Sequence, residues 1–455
     1  MADPAPPPPP AQPTASAAPK APPPRNPALR MLGLPALPRK LPSRNWMIFW
    51  TVTTSITAAI IYDRREKDRA IAKWKHTVEH LAKQPVPGSG VMASLAEPRK
   101  LTIFLSSPPG DGLRVAQDHY TEYVKPILAA SGLDWEFVQG RREGDVRAVI
   151  AERVRKARRA QESSPEQEPG SQPTRDELIQ MHRRERGIDE YQGIRGDVVI
   201  GRHTWKEYVR GLHEGWLGPL TPPPVPEPPL VDEATTDSDE EKKPAEEEPK
   251  PKRPPQIKPY NTTNDYPAES LPLLAPAHFA PSAPIREPHI LGFLNTPTRM
   301  YRFFNRRKLA DEIGREVAAV CLATYRDYRE LPQDESTLSD PDNTHKYEQQ
   351  KELEWEEKDW VKKIWKDPKP DDEEAKEITE RIWTKPVVMD PRIATRMRRF
   401  EIDPEDEARA KQIVVPEEEV EGWTKGKLRQ LFRWGVAKVA GPKEKHPWEI
   451  DNIDE

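Results

Sequence analysis

Apolar positions along this chain follow three rhythms. The first is an unbroken run: from Trp46 to Tyr62 no residue is charged, in a chain whose mean hydropathy is -0.85. As a helix this run spans ~25 Å at about 1.5 Å per residue. A bilayer core is ~30 Å thick and takes about 17–25 residues, so the run sits at the short end. Thr51, Thr53, Thr54, Ser55 and Thr57 make it only moderately apolar, but helical hydroxyls can bond back to carbonyls one turn earlier. Trp46, Trp50 and Tyr62 suit the two membrane interfaces, where amphipathic rings settle. A buried core helix would show polar positions at a 3.6-residue period, and this run does not. The pattern therefore predicts a membrane helix, with Trp46, Trp50, Ile56, Ile60 and Tyr62 as candidate anchor residues. A cleaved secretory signal fits less well, because the run starts far from Met1 and no small-residue cleavage site follows Tyr62.

The second rhythm is helical. Ile71, Trp74, Val78 and Leu81 recur three to four residues apart, so the helix is expected to continue from Asp63 to Lys83 before "QPVPGSG" ends it. The third alternates short apolar runs with amphipathic helices. "KLTIFLSS" (100–107), "LDWEFVQ" (133–139), "GDVVIGR" (196–202) and "HILGFLN" (289–295) read as four strands. Helices are expected over "GLRVAQDHYTEYVKPILAASG", "GDVRAVIAERVRKARR" and "HTWKEYVRGLHEGWLG". A long one follows, carrying Met300, Phe303, Phe304, Ile313, Val317 and Val320. Strand and helix in alternation predict parallel strands joined by crossover helices. The expected fold class is α/β: a single N-terminal transmembrane helix, then a soluble α/β sandwich with mostly parallel strands, C-terminal helices and disordered insertions.

Composition sets the boundaries. The chain has 455 residues and 54 prolines, and the prolines gather in a few tracts. The organisation expected is a disordered Pro-rich N-terminus (1–42), a transmembrane helix (43–63), a helical linker (64–99), an α/β domain (100–338) and a charged, Trp-containing helical region (339–455). Insertions near 161–175 and 219–259 are rich in proline and charge, with nothing to bury. In the C-terminal region Trp355, Trp360, Ile364 and Trp365 lie on a charged helix, and shorter helices are expected at Asp371–Trp383 and Pro404–Gln412. "EGWTKGKLRQLFRWGVAKVAG" gathers Leu428, Leu431, Phe432, Val436 and Val439 in one arc, with Lys427, Arg429, Arg433 and Lys438 outside it. Such a helix can lie on an anionic membrane; packing on the α/β domain is the favoured expectation.

Charge and chemistry narrow the function. With 71 basic and 75 acidic residues the net charge is -4, which gives no global field for nucleic acid. Basic residues flank the uncharged run on both sides, so they do not orient it, but no acidic residue lies between Asp3 and Asp63. An acid-poor, Arg-containing N-terminus resembles mitochondrial targeting sequence. The lone cysteine, Cys321, falls in an apolar run and reads as buried. None of the 10 histidines forms a metal-ligand spacing, and there is no G-x-S-x-G elbow. "LSSPPGDG" (105–112) leaves a strand and opens a helix, as phosphate-binding loops do. Two prolines remove two N–H donors and no lysine follows, so the loop reads as a tight turn with Asp111 capping the helix. "GDVVIGRH" places Arg202 and His203 at a strand end, with no partners converging on them in sequence. No catalytic, cofactor-binding or metal residues are assigned.

Three stretches carry a resemblance: "NPALRMLGLPALPRKLPSRNWMIFW", "LTIFLSSPPGDG" and "LGFLNTPTRMYRFFNRRKLAD". In order, after a single span, they resemble the fungal translocase-of-inner-membrane subunit of fifty-four kilodaltons, a family of the mitochondrial carrier translocase. The resemblance covers Asn26 to about Arg326 and implies a non-enzymatic scaffold. It implies inner-membrane location, a matrix N-terminus and the bulk of the chain in the intermembrane space. It also implies partners: the channel-forming subunit and small chaperone hexamers of the intermembrane space. Inner-membrane lipid is expected from the uncharged run, nucleic acid is not expected from the charge balance, and no cofactor is assigned. The rival is a membrane-anchored lipid-kinase-like enzyme, or a degenerate relative of one. That class needs a second glycine-rich stretch, G-G-D-G-[ST], and none lies between Leu113 and Cys321. A simple tether between the inner membrane and another partner is a third reading.

Overall fold

The computed structural model describes residues 43–83, 99–162, 175–187, 191, 193–223, 257–290, 292–331, 347–352 and 380–440. The chain divides into two compact units, Met1–Ala58 and Ala59–Glu455. The described part of the first is residues 43–58, where helix α1 (Arg44–Lys83) begins. Its side chains are exposed, and its hydroxyls turn inward: Thr51 Oγ1 donates to the Ile48 carbonyl at 2.9 Å, Thr53 to Phe49 at 2.8 Å and Thr57 to Thr53 at 2.8 Å. No described helix is long and apolar enough to cross a membrane. The expected membrane span is therefore not shown by the structure. Five hydroxyl residues dilute 17 uncharged positions, and charge resumes at Asp63.

The second unit is built on a six-stranded sheet in the order β2-β1-β3-β4-β6-β5. Its strands are β1 (Lys100–Ser106), β2 (Asp134–Gly140), β3 (Gly196–Ile200), β4 (Ser282–Ile285), β5 (Tyr325–Asp327) and β6 (Arg398–Phe400). Every pairing is parallel except β5 with β6. β1 and β3 are central, and their apolar β-branched residues are buried on both faces, as parallel strands require. β2 lies at the edge, with Trp135 and Val138 half-buried between exposed neighbours, Phe137 among them.

The first three strands match expectation; the fourth does not. "HILGFLN" is not a strand, because Gly292 takes φ 96° and Phe293–Asn295 forms a 3-10 turn. The fourth strand is instead Ser282–Ile285, short and carrying Pro284. The sheet also takes up Arg398–Phe400, from a stretch read as helical.

The remaining helices, in chain order, are α2 (Leu113–His119), α3 (Lys125–Ser131), α4 (Asp145–Glu162), α5 (Arg175–Glu185), α6 (Arg202–Leu217), α7 (Thr296–Phe303), α8 (Arg306–Leu322), α9 (Glu348–Lys351), α10 (Pro391–Ala394), α11 (Pro404–Gln412), α12 (Glu417–Glu421) and α13 (Trp423–Ala440). A π turn, Tyr120–Val124, joins α2 to α3. The long helix expected after residue 296 breaks at Phe304–Asn305 into α7 and α8, where Asn305 has φ -132°. The helices expected across Trp355–Trp365 and most of Asp371–Trp383 lie outside the described residues, as do most of both insertions. Trp383 itself is in a bend.

Two apolar layers sandwich the sheet. On one face Trp74 and Val78 of α1 and Ile127 and Leu128 of α3 pack with Ile313, Val317 and Val320 of α8. On the other, Val146 and Ile150 of α4 pack with Trp205, Tyr208 and Val209 of α6. Gly314 is required by this packing, because a Cβ there would sit 2.2 Å from the Trp74 ring.

Candidate functional site

The connections from β1 and β3, adjacent parallel strands, depart toward opposite edges of the sheet. Ligands of open α/β sheets bind at such a reversal, beyond the strands' carboxyl ends. Here the reversal brings together the loop 106–112 and the start of α6. The loop is bonded to its own chain. The Ser107 N–H donates to the Gly140 carbonyl at 3.1 Å, and its Oγ to the Arg141 carbonyl at 3.1 Å. The Asp111 N–H donates to the Pro108 carbonyl at 3.0 Å, closing a turn in which Gly110 has φ 82°. That turn ends one residue early for a cap by Asp111. Gly112 takes the N-cap position, without a side-chain bond. The expected Asp111 cap is therefore corrected: its carboxylate lies 3.6 Å from His289 Nδ1 instead.

At the start of α6, Gly201 has φ 93°, and a Cβ there would lie 2.9 Å from Glu287 Oε2. The buried Glu287 carboxylate thus stands over the first turn of α6. A helix N-terminus favours an anion, and here the protein's own carboxylate takes that place. A phosphate arriving there would meet this carboxyl group first. His203 is held neutral, far below its ordinary range, by burial and then by Lys206 and Arg202. His289 is also shifted down by burial, partly opposed by Asp111. Among the described residues no group of three or more His, Cys, Asp or Glu could hold a metal ion. Cys321 is buried, as its apolar setting led us to expect, and burial pushes its thiol up to about 11.

The sequence reading missed a polar network inside the body. All residues of α6 from His203 to Leu217 are buried. Glu214 accepts from Arg147 and Arg155 of α4 and, at 3.1 Å, from the Tyr260 N–H. Burial raises its carboxyl, but Arg147 and Arg210 outweigh that and hold it below its ordinary range. Glu207 accepts from the Val146 N–H at 2.9 Å and from Trp383 Nε1 at 2.6 Å, yet burial still lifts it to about 7. Glu143 accepts from the Ile382 and Trp383 N–H groups at 2.6 and 2.8 Å. His213 Nδ1 donates to the Val209 carbonyl at 2.7 Å, and its Nε2 accepts from the Asp390 N–H at 2.9 Å. The only sequence signal was the density of Arg and Glu on α4 and α6, which reads equally as solvated faces.

The five candidate anchor residues are all exposed: Trp46 56%, Trp50 55%, Ile56 46%, Ile60 38% and Tyr62 53%. They share one helix but do not converge on a pocket. At the other end of the chain, packing of α13 on the α/β body is not what the described side chains show. Leu428, Leu431 and Trp434 are exposed, and α13 folds back on α12, with Gly426 pressed against the Glu418 backbone. α12 is in turn tied to α1, through Arg69–Glu417 at 3.0 Å and His76–Glu419 at 2.7 Å.

Fold and site together define an α/β body that presents aromatic and aliphatic side chains outward on helices. The family description "Inner membrane protein import complex subunit Tim54" matches residues 26–242 and 230–400. The chain is 62% identical over 440 residues to the mitochondrial import inner membrane translocase subunit tim54 of Neurospora crassa, covering 95% of this chain and 92% of that one. It is 46% identical over 422 residues to the same subunit of Aspergillus oryzae (86% and 91% covered) and 31% identical over 426 residues to that of Candida albicans (83% and 96%). The chain belongs to the Tim54 family of inner membrane protein import complex subunits.

Proposed function

We propose that this chain is a non-enzymatic scaffold of the mitochondrial carrier translocase. It is held at the inner membrane through the uncharged stretch of α1, with its N-terminus in the matrix and its α/β body in the intermembrane space. There it supports insertion of multispanning proteins by the channel-forming subunit and docks the small chaperone hexamers that deliver them. The relatives' names support the import role and the inner-membrane address. The inward hydrogen bonds of Thr51, Thr53 and Thr57 support lipid contact, because a hydropathy value counts those hydroxyls as if they still needed water.

The observation that carries the non-enzymatic reading is Glu287 standing over Gly201. The lipid-kinase-like alternative has the parallel order β2-β1-β3-β4 in its favour, but it lacks the second glycine-rich stretch that class needs, and a carboxyl group already occupies the helix start at this end of the sheet. A ligand that binds only the folded state raises the melting temperature. Millimolar ATP with magnesium is therefore expected to leave the melting temperature of the full chain unchanged. A reproducible rise, lost when Ser107 and Asp111 are replaced by alanine, would overturn the scaffold reading. Co-purification in mild detergent tests the scaffold directly. The channel-forming subunit should come with the chain, and alkaline carbonate should leave the chain in the membrane pellet.

A further inference from the structure

From Pro288 to Ala310 the chain carries five Lys or Arg residues and no Asp or Glu. The same stretch exposes large apolar side chains: Phe293 at 89%, Leu294 at 83%, and Met300, Tyr301 and Phe303 on α7. An acid-free run that pushes its aromatics into water while collecting cations is unusual for a solvated surface. The cations lie over the rings: the Arg306 guanidinium is 4.8 Å from the Phe303 ring centre and the Lys308 ammonium 5.7 Å from that of Tyr301. Rings that seek the polar–apolar boundary, beside cations that seek phosphate, are what an anionic bilayer surface selects.

The place of this platform is fixed by α1. Asp63, buried and the first charged residue after Tyr62, accepts from the Arg306 and Arg307 N–H groups at 3.1 and 3.4 Å. It thereby caps α8 from another helix, while Arg307 lies 5.2 Å over the Tyr62 ring. The platform is thus bolted beside Ile60, Ile61 and Tyr62, themselves exposed, at the point where α1 passes from uncharged to charged residues. We propose that Phe293–Phe303, with Arg299, Arg306 and Lys308, is a second membrane foothold that lies on the headgroups of an anionic bilayer. It would hold the α/β body against the surface. This deepens the membrane-held reading above and rests on it.

The test uses the full chain reconstituted into vesicles of phosphatidylcholine with or without phosphatidylglycerol. An environment-sensitive fluorophore is placed at Leu294→Cys and, as a control, at Leu273→Cys, which is fully exposed. Buried Cys321 stays unlabelled. With phosphatidylglycerol present, the Leu294 label should shift to the blue and be quenched by nitroxide lipid, while the Leu273 label stays aqueous. The shift should vanish in Arg299→Glu/Lys308→Glu, whose melting temperature should match the parent. A chain that floats with the vesicles while its Leu294 label stays aqueous overturns the foothold and leaves the anchor standing. A chain that floats with neither vesicle overturns both. A Leu294 label already blue before lipid is added shows that protein covers the platform, and that too overturns the proposal.

Discussion

Helices α6 and α7 reverse each other's chemistry. α6 carries His203, Lys206, Glu207, Arg210, His213 and Glu214, and buries all of them; α7 carries Met300, Tyr301 and Phe303 and exposes all three. Burial here follows what covers a helix, not what it is made of. α6 lies between the sheet, α4 and residues 380–397, and each of these supplies partners: Arg147 and Arg155 from α4, Trp383 and Asp390 from the later segment. Buried charge is tolerated when such partners converge and is costly when one is missing. On α7 only Thr298 and Arg302 are partly buried, Met300, Tyr301 and Phe303 face outward, and this chemistry fits a surface supplied from outside the chain.

That contrast can be broken most severely at Glu214. Glu214→Ala leaves two arginines buried together without their carboxylate and is expected to cost about 3–5 kcal/mol. Denaturant melts of the full chain measure it. A loss under about 1 kcal/mol would mean that water reaches α6, and the comparison would fail.

Acid comes next. Burial, seconded by Arg210, lowers His213 from its ordinary 6.5 to about 4, and both ring nitrogens are already engaged. The unfolded chain then binds more protons than the folded one between these values. The stability held by neutral His213 is complete above pH 6.5 and is lost as pH falls toward 4. Melting temperature against pH should decline across this window, less steeply in His213→Gln. A parallel decline in that variant would place the acid sensitivity elsewhere, with His203 the first candidate.

Asp63 tests the join between body and platform. Asp63→Ala leaves the Arg306 and Arg307 N–H groups without their acceptor and is expected to cost about 1–3 kcal/mol. The smallest effect should come from α7 itself. Met300→Ser is expected to change stability by no more than about 0.5 kcal/mol, as at an unsupported surface position. A larger loss by calorimetry would show that α7 is packed after all.

How much of this could be read in the sequence depended on how local the cause was. β1 and β3 announced themselves because both faces of a central parallel strand are apolar. The limits of α11 were legible from Pro404 and its acidic first turn. β4 was not legible: four residues with a proline have no period to detect, and the more apolar "HILGFLN" nearby drew the reading away. Nor was β6, whose Arg398 and Arg399 look solvated until Glu348 and Glu352 come within 2.9 and 2.6 Å of Arg399 from about 50 residues earlier. At the candidate site, Glu287 over Gly201 joins residues 86 apart in sequence, so the loop could be described but not its occupant.

The position of β6 has a consequence for the order of events in assembly. It lies between β4 and β5, pairing with both, although it follows them by many residues. As the chain emerges from its N-terminal side, β5 has no neighbour to join until residue 400 has appeared. Trp383 and Asp390, which close the polar network around α6, arrive in the same stretch. Until then β4 presents a free edge and α6 an unfinished set of charges, both of which invite capture by a chaperone or a protease. The sheet is therefore a test of completion: it closes only once the late part of the chain has joined the early part.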